Sequence, residues 1–373
     1  MNIAIYGTGQ FGTYIERLIS ENKKNVVKCF ADSNSCKWGT NVNGLPVLSP
    51  SELQNKSKEI DAVLVCFMNS IAFFDEIVSL GKKCGFVRNR VFEAHMSLED
   101  ELLLDKNIVW SDAAYLSKPV LRSLETNIVD GCNLNCKGCS HFSNLFKRDD
   151  KVPFDVFRRD LKQVAEHTYI HRFNMLGGEA LLNENIIDYI KYARRLLPYS
   201  EIELISNGLL IPSQSDAFFR CCEENDITIS ISGYRPTLRL KDKIKDVMDR
   251  YRIVYIFRED VLEFGKNIDL SGNADKQEAV KRCRENKCHF LRNGKIYKCP
   301  FEALGNVFFK HFGLDIRFDG GTDIYDEQLD WNKLIKRLYK EPVDACCYCG
   351  KEERIEWQVE NHPVMSDWVV REE

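Results

Sequence analysis

The sequence lacks an apolar run long enough to cross a bilayer. Its longest, residues 62–74, is interrupted by Asn69 and Ser70 and falls short of the ~20 residues a span needs. It has no basic tract and no interleaved basic and aromatic patch, and its formal charge is −4. A nucleic-acid protein held by a general basic surface is therefore excluded. A cleavable leader is not expected either, because Asn2 to Tyr6 reads directly as a strand. Histidine is scarce: the seven show no metal-ligand spacing, and His141 reads as structural or cofactor-adjacent. Cysteine, by contrast, is plentiful and odd in number, at fifteen. In a chain without a secretory signal this predicts a cytoplasmic protein that keeps its thiols for metals. The 44% apolar and 29% charged fractions are those of a globular protein. A length of 373 residues predicts two or three domains.

Eight of the cysteines fall into two groups. Cys132, Cys136 and Cys139 form a C-x3-C-x2-C array between Gly131 and Ser140. Three thiolates on one loop can hold three irons of a 4Fe–4S cluster and leave the fourth iron open. An open position is what a catalytic metal site needs. Spacing alone also admits a zinc knuckle short of one ligand. The second group is Cys283, Cys288, Cys299, Cys346 and Cys349. Asn293-Gly294 predicts a hairpin turn, and its register sets Cys288 opposite Cys299. Cys283 lies upstream, and Cys346 with Cys349 makes a C-x2-C pair. Zinc is the alternative here too. Cys29, Cys66, Cys84, Cys221 and Cys222 read as small buried hydrophobes.

At the N-terminus, Gly7, Gly9 and Gly12 give G-x-G-x-x-G between a strand and a helix, and Asp32 ends the next strand. Such glycines let the backbone approach a phosphate at a helix N-terminus, and the carboxylate can accept from a ribose. The alternatives are a degenerate domain that serves as an interface and NAD(P) redox chemistry. Residues 96–122, with Leu102 to Leu104, read as a linker or bridging helix. From 123 onward, strand and helix alternate: strands at 123–129, 171–175, 201–206, 227–232 and 253–257, helices at 154–167, 184–196, 213–224 and 238–250. This alternation predicts a parallel sheet with helices outside it. Gly177-Gly178-Glu179, Ser206-Asn207 and Ser230 to Ser232 then fall at the ends of these strands.

The cysteine loop, the Gly177-Gly178-Glu179 motif and the Ser206-Asn207 strand end together resemble the radical S-adenosylmethionine (radical SAM) superfamily over residues 123–260. Gly138 departs from the many members that carry an aromatic residue there. The resemblance implies a central partial (β/α)6 barrel at 123–273. It also implies a 4Fe–4S cluster on Cys132, Cys136 and Cys139, with S-adenosylmethionine on its open iron. Gly177, Gly178, Glu179, Ser206, Asn207 and Ser232 are the implied cofactor contacts, Glu179 accepting from the cofactor's ammonium. The reaction implied is reductive cleavage of S-adenosylmethionine to a 5′-deoxyadenosyl radical that abstracts hydrogen from a substrate. Residues 274–373 resemble the Twitch or SPASM extension, which implies one auxiliary 4Fe–4S cluster on Cys299, Cys346, Cys349 and either Cys283 or Cys288. Residues 1–95 resemble the half-Rossmann domains of sugar-modifying enzymes, where Gly7, Gly9, Gly12 and Asp32 would hold a nucleotide or nucleotide-sugar. The α/β fold class follows. The expected partners are a small-molecule substrate, with carbohydrate favoured, and a low-potential electron donor such as flavodoxin or ferredoxin. A peptide maturase and a non-catalytic metal-binding scaffold are the rival readings.

Overall fold

The structure, a computed structural model, describes residues 1–22, 24–66, 77, 79–87, 108–111, 118–258, 261–283 and 288–370. The chain forms two compact units, Met1–Val120 and Leu121–Glu373. Among the described residues no helix is long and apolar enough to cross a membrane.

In the first unit, strands β1 (Asn2–Tyr6), β2 (Val26–Ala31), β3 (Asn41–Val42), β4 (Leu45–Leu48), β5 (Ala62–Val65), β6 (Lys83–Val87) and β7 (Ile108–Ser111) make one sheet. Its order is β3-β4-β2-β1-β5-β6-β7. Neighbours from β4 to β6 run parallel, and β3 and β7 are antiparallel at the two edges. β1 lies where the order reverses, the position at which open α/β sheets bind ligands. Helix α1 (Gln10–Asn22) sets Phe11, Ile15, Leu18 and Ile19 on one face, and all four join the core beside Ile3, Ile5 and Leu64. Cys29, Cys66 and Cys84 are buried, as their apolar neighbours imply. The sheet continues beyond residue 95 through β7. Most of the expected 96–122 connection lies outside the described residues.

The second unit is built on β8 (Val120–Val129), β9 (Tyr169–Gly177), β10 (Glu201–Ser206), β11 (Ile227–Ser232) and β12 (Tyr255–Arg258). The pairs β9–β10, β10–β11 and β11–β12 are parallel. Helices α2 (Phe154–His167), α3 (Ile186–Leu196), α4 (Asp216–Glu224) and α5 (Lys241–Arg250) alternate with the strands. Each helix contributes apolar residues, such as Leu161, Ile190, Phe218 and Ile244, to a core shared with Phe173, Met175, Leu204 and Ile229. Among the described residues the partial barrel thus has five successive strands. The next segment, β13 (Glu263–Ile268), does not extend it but pairs antiparallel with β17 (Cys349–Glu356). On the other edge, β14 (His289–Arg292) lies parallel to β8 and turns back through β15 (Lys295–Tyr297) to β16 (Thr322–Asp323). Asn293 and Gly294 take φ of 47° and 75°, the left-handed pair a two-residue hairpin turn needs.

Candidate active site

The loop after β8 carries the cysteine triad, and the ends of β9, β10 and β11 face it. One cavity of about 160 Å3 is lined by Cys132, Cys136 and Cys139 together with Gly177, Gly178, Ser206, Asn207 and Ser232. The residues expected to share a site therefore do so, with one exception. Glu179 is not among those lining residues; it is fully buried. Its carboxylate accepts from the Leu181 N–H at 3.0 Å, the Ser206 hydroxyl at 2.8 Å and the Asn207 N–H at 2.7 Å. Burial raises its pKa, and these three bonds oppose the shift. Glu179 thus ties the β9 end to the β10 end. The two glycines before it serve close packing. A Cβ at Gly177 would lie 1.9 Å from the Val129 carbonyl oxygen, and one at Gly178 would lie 2.2 Å from that of Gly131. No side chain fits there, so β9 can approach the root of the cysteine loop.

Asn207 links β10 to the same loop. Its Nδ2 donates to Asn133 Oδ1 at 2.6 Å and lies 3.8 Å from Cys132 Sγ. The Leu134 N–H donates to Cys132 Sγ at 3.3 Å. Burial pushes the Cys132 thiol up to about 12 and raises Cys136 as well. Among the described residues no three His, Cys, Asp or Glu side chains are drawn together as a metal would hold them. The donor set nevertheless fits a cluster with one open iron: three thiols on one loop, facing one cavity, with N–H groups already aimed at sulfur. Metal binding would deprotonate thiols that burial otherwise keeps protonated.

Sequence reasoning missed the support behind the loop. Arg292 makes a two-pronged bond to Asp130, at 2.7 and 2.8 Å. Asn127 donates to Asp130 Oδ1 at 2.9 Å and meets His141 Nδ1 at 3.2 Å. His141 lines the cavity, and burial, more than its charged neighbours, holds its pKa down at about 4, so it stays neutral.

Three cysteines of the second group, Cys283, Cys299 and Cys349, line a cavity of about 620 Å3 along with Gly138, Ser140 and Trp368. Cys346 and Cys349 pack against Ala279 and Val280 of helix α6 (Lys276–Arg282), which ends just before Cys283. Lys298 feels Cys346, Cys299 and Cys283 together; burial lowers its pKa and their charges oppose that. Cys288 instead hydrogen-bonds the buried carboxyl of Glu125. The hairpin register is the expected one, with Phe290 opposite Tyr297. The ladder stops short of 288 and 299, however, and Cys299 caps helix α7 (Pro300–His311). Cys299 therefore leaves the hairpin for the cavity, while Cys288 keeps the face of Phe290, the residue level with Glu125 in β8.

At the N-terminal fingerprint, a Cβ on Gly12 would lie 2.0 Å from the Gly7 carbonyl oxygen, so Gly12 packs helix on strand. Gly9 faces open space. Asp32 is already engaged: it accepts from the Thr8 N–H at 3.1 Å, the Thr8 hydroxyl, the Asn34 N–H at 2.9 Å and Lys37 Nζ at 2.9 Å. Burial raises its pKa, but these bonds outweigh it and hold it at about 2.

Residues 126–289 match the profile of the family described as the Radical SAM superfamily. Among curated proteins, the chain is 28% identical over 142 residues to GTP 3′,8-cyclase of Clostridium acetobutylicum, covering 32% of this chain and 44% of that protein. The chain thus spans less than half the length of that relative. Among solved structures it is similar to BtrN in complex with AdoMet and 2-DOIA, with TM-score 0.40, 17% identity, and coverage of 63% of this chain and 94% of BtrN. It is also similar to UDP-D-quinovosamine 4-dehydrogenase from Vibrio fischeri, with TM-score 0.24, 18% identity, and coverage of 26% and 87%. Residues 126–289 thus form a radical SAM domain.

Proposed function

We propose that this chain is a radical SAM enzyme acting on a carbohydrate or nucleotide-linked sugar. The carrying observation is that three thiols of one loop and the ends of three parallel strands line one cavity. Cys132, Cys136 and Cys139 would hold the cluster, and Gly177, Gly178, Ser206, Asn207 and Ser232 would bound the cofactor. When bound, cluster and S-adenosylmethionine supply the electron and the cleavable bond from which hydrogen abstraction starts. Glu179 does not need to touch the cofactor to matter, because it fixes Ser206 and Asn207 at the cavity wall. Arg292 and Asp130 hold the base of the cysteine loop. Neutral His141 adds a polar wall without a charge.

Cys283, Cys299, Cys346 and Cys349 would hold one auxiliary 4Fe–4S cluster. The shared cavity favours Cys283 over Cys288 in that set. The open side of Gly9 at the start of α1 supports a nucleotide or nucleotide-sugar in the first unit. Dehydrogenation, epimerisation or deoxygenation at a ring carbon fits this reading, with a flavodoxin or ferredoxin as electron donor. The test is anaerobic incubation of reconstituted protein with reductant, S-adenosylmethionine and a panel of nucleotide-sugars. The panel includes GTP, which the name of the curated relative mentions. The expected result is a modified sugar formed with 5′-deoxyadenosine. A modified peptide and no modified sugar, in a parallel panel of peptides, would refute the carbohydrate reading.

A further inference from the structure

The cysteine loop is strapped from outside by a distant part of the chain. The Lys137 N–H donates to the Gln358 carbonyl at 2.9 Å, and the Glu360 N–H donates to that of Asn135 at 2.6 Å. Between them Cys136 and Val359 form an antiparallel bridge. Further on, the Trp368 indole N–H donates to the Cys139 carbonyl at 2.8 Å, and Lys137 pairs with Asp367 at 3.5 Å. The strap also accounts for Gly138. Its φ is +66°, and a Cβ there would lie 2.8 Å from the Asp367 carbonyl oxygen.

One strap contact reaches sulfur itself. The Trp357 indole N–H donates to Cys136 Sγ at 3.2 Å. Trp357 is 4% exposed, and its ring stacks on Tyr234 at 5.2 Å and 16°, so the direction of the N–H is fixed. The Leu134 N–H at Cys132 belongs to the backbone, and Asn207 Nδ2 stands farther off, at 3.8 Å. A hydrogen bond to a ligating sulfur draws off negative charge. It therefore favours the reduced cluster, which carries one more negative charge than the oxidised one.

We propose that Trp357 is a positioning residue that raises the reduction potential of the cluster held by Cys132, Cys136 and Cys139. The inference rests on the function proposed above. The test uses the full-length reconstituted protein and reductive titration followed by electron paramagnetic resonance. The signal followed is the component absent from the variant with all three cysteines changed to Ala. Trp357→Phe should move its potential to a more negative value. Trp368→Phe should move it less, since that indole bonds a carbonyl rather than a sulfur. An unchanged potential in Trp357→Phe overturns the proposal. Should Trp357→Phe fail to load iron, wild-type protein carrying indole-15N tryptophan decides by pulsed resonance. A 15N coupling in the same signal that persists in Trp368→Phe supports the proposal, and its absence overturns it. Wild-type protein whose triad takes up no iron would refute the reading of the site itself and this inference with it. A loaded, SAM-cleaving protein with an unmoved potential would refute the inference alone.

Discussion

The two cysteine groups of the second unit are assembled in opposite ways. Cys132, Cys136 and Cys139 lie on one short loop, and that loop is held in place by β9, β10 and the 357–368 strap. Cys283, Cys299 and Cys349 come from a helix end, a hairpin exit and a late loop, and only folding brings them to one cavity, with Cys346 packed beside Cys349. The first group needs little from the fold to be gathered but much from it to be tuned. In the second, the fold decides which cysteines meet at the cavity.

The sharpest way to break this contrast is to exchange the choice between Cys283 and Cys288. With both clusters full, the protein should hold about eight irons per chain. Cys283→Ala should lower the count toward about four, while Cys288→Ala should leave it unchanged, in iron and acid-labile sulfide assays on anaerobic protein. The reverse pattern would sink the assignment. Next in size is the support of the triad loop. Arg292→Ala leaves the buried Asp130 carboxylate without its guanidinium and should cost about 3–5 kcal/mol. Urea unfolding followed by tryptophan fluorescence reads this, and a midpoint equal to wild type would show that the pair does not brace the loop. Gly138→Ala presses a methyl against the strap at a positive φ and should cost about 1–3 kcal/mol. If that variant proves as stable as wild type, the strap is not held closely against the loop. The smallest effect belongs to the first unit. Gly9→Ala meets nothing within 4 Å, so stability should change by less than about 1 kcal/mol. Loss of nucleotide-sugar binding in calorimetry without loss of fold would mark Gly9 as ligand-facing. Equal binding in wild type and variant would remove it from the site.

What the sequence made legible follows the same contrast. The triad, the paired glycines before Glu179 and the strand–helix alternation are local patterns, and local patterns fix local structure. The helix expected at 154–167 is Phe154–His167, and the strand expected at 201–206 is Glu201–Ser206. The strap was invisible because Trp357 and Cys136 are 221 residues apart and no periodicity links them. The hairpin register was legible, but the point where the ladder stops was not. Pro300 was the available signal, since proline at the first helical position marks Cys299 as a helix cap rather than a strand residue. Asp32 read as a free acceptor, but Thr8 within the fingerprint and Lys37 in the short helical turn after β2 both engage it.

The central claim is that Cys132, Cys136 and Cys139 carry the cluster on which S-adenosylmethionine is cleaved. The most direct measurement is 5′-deoxyadenosine formed by anaerobically reconstituted protein with reductant, compared with the variant in which all three cysteines are Ala. The account predicts product from the wild type and none from the variant, which should still retain about four irons on the second group. Product formed by the variant at the wild-type rate would contradict it.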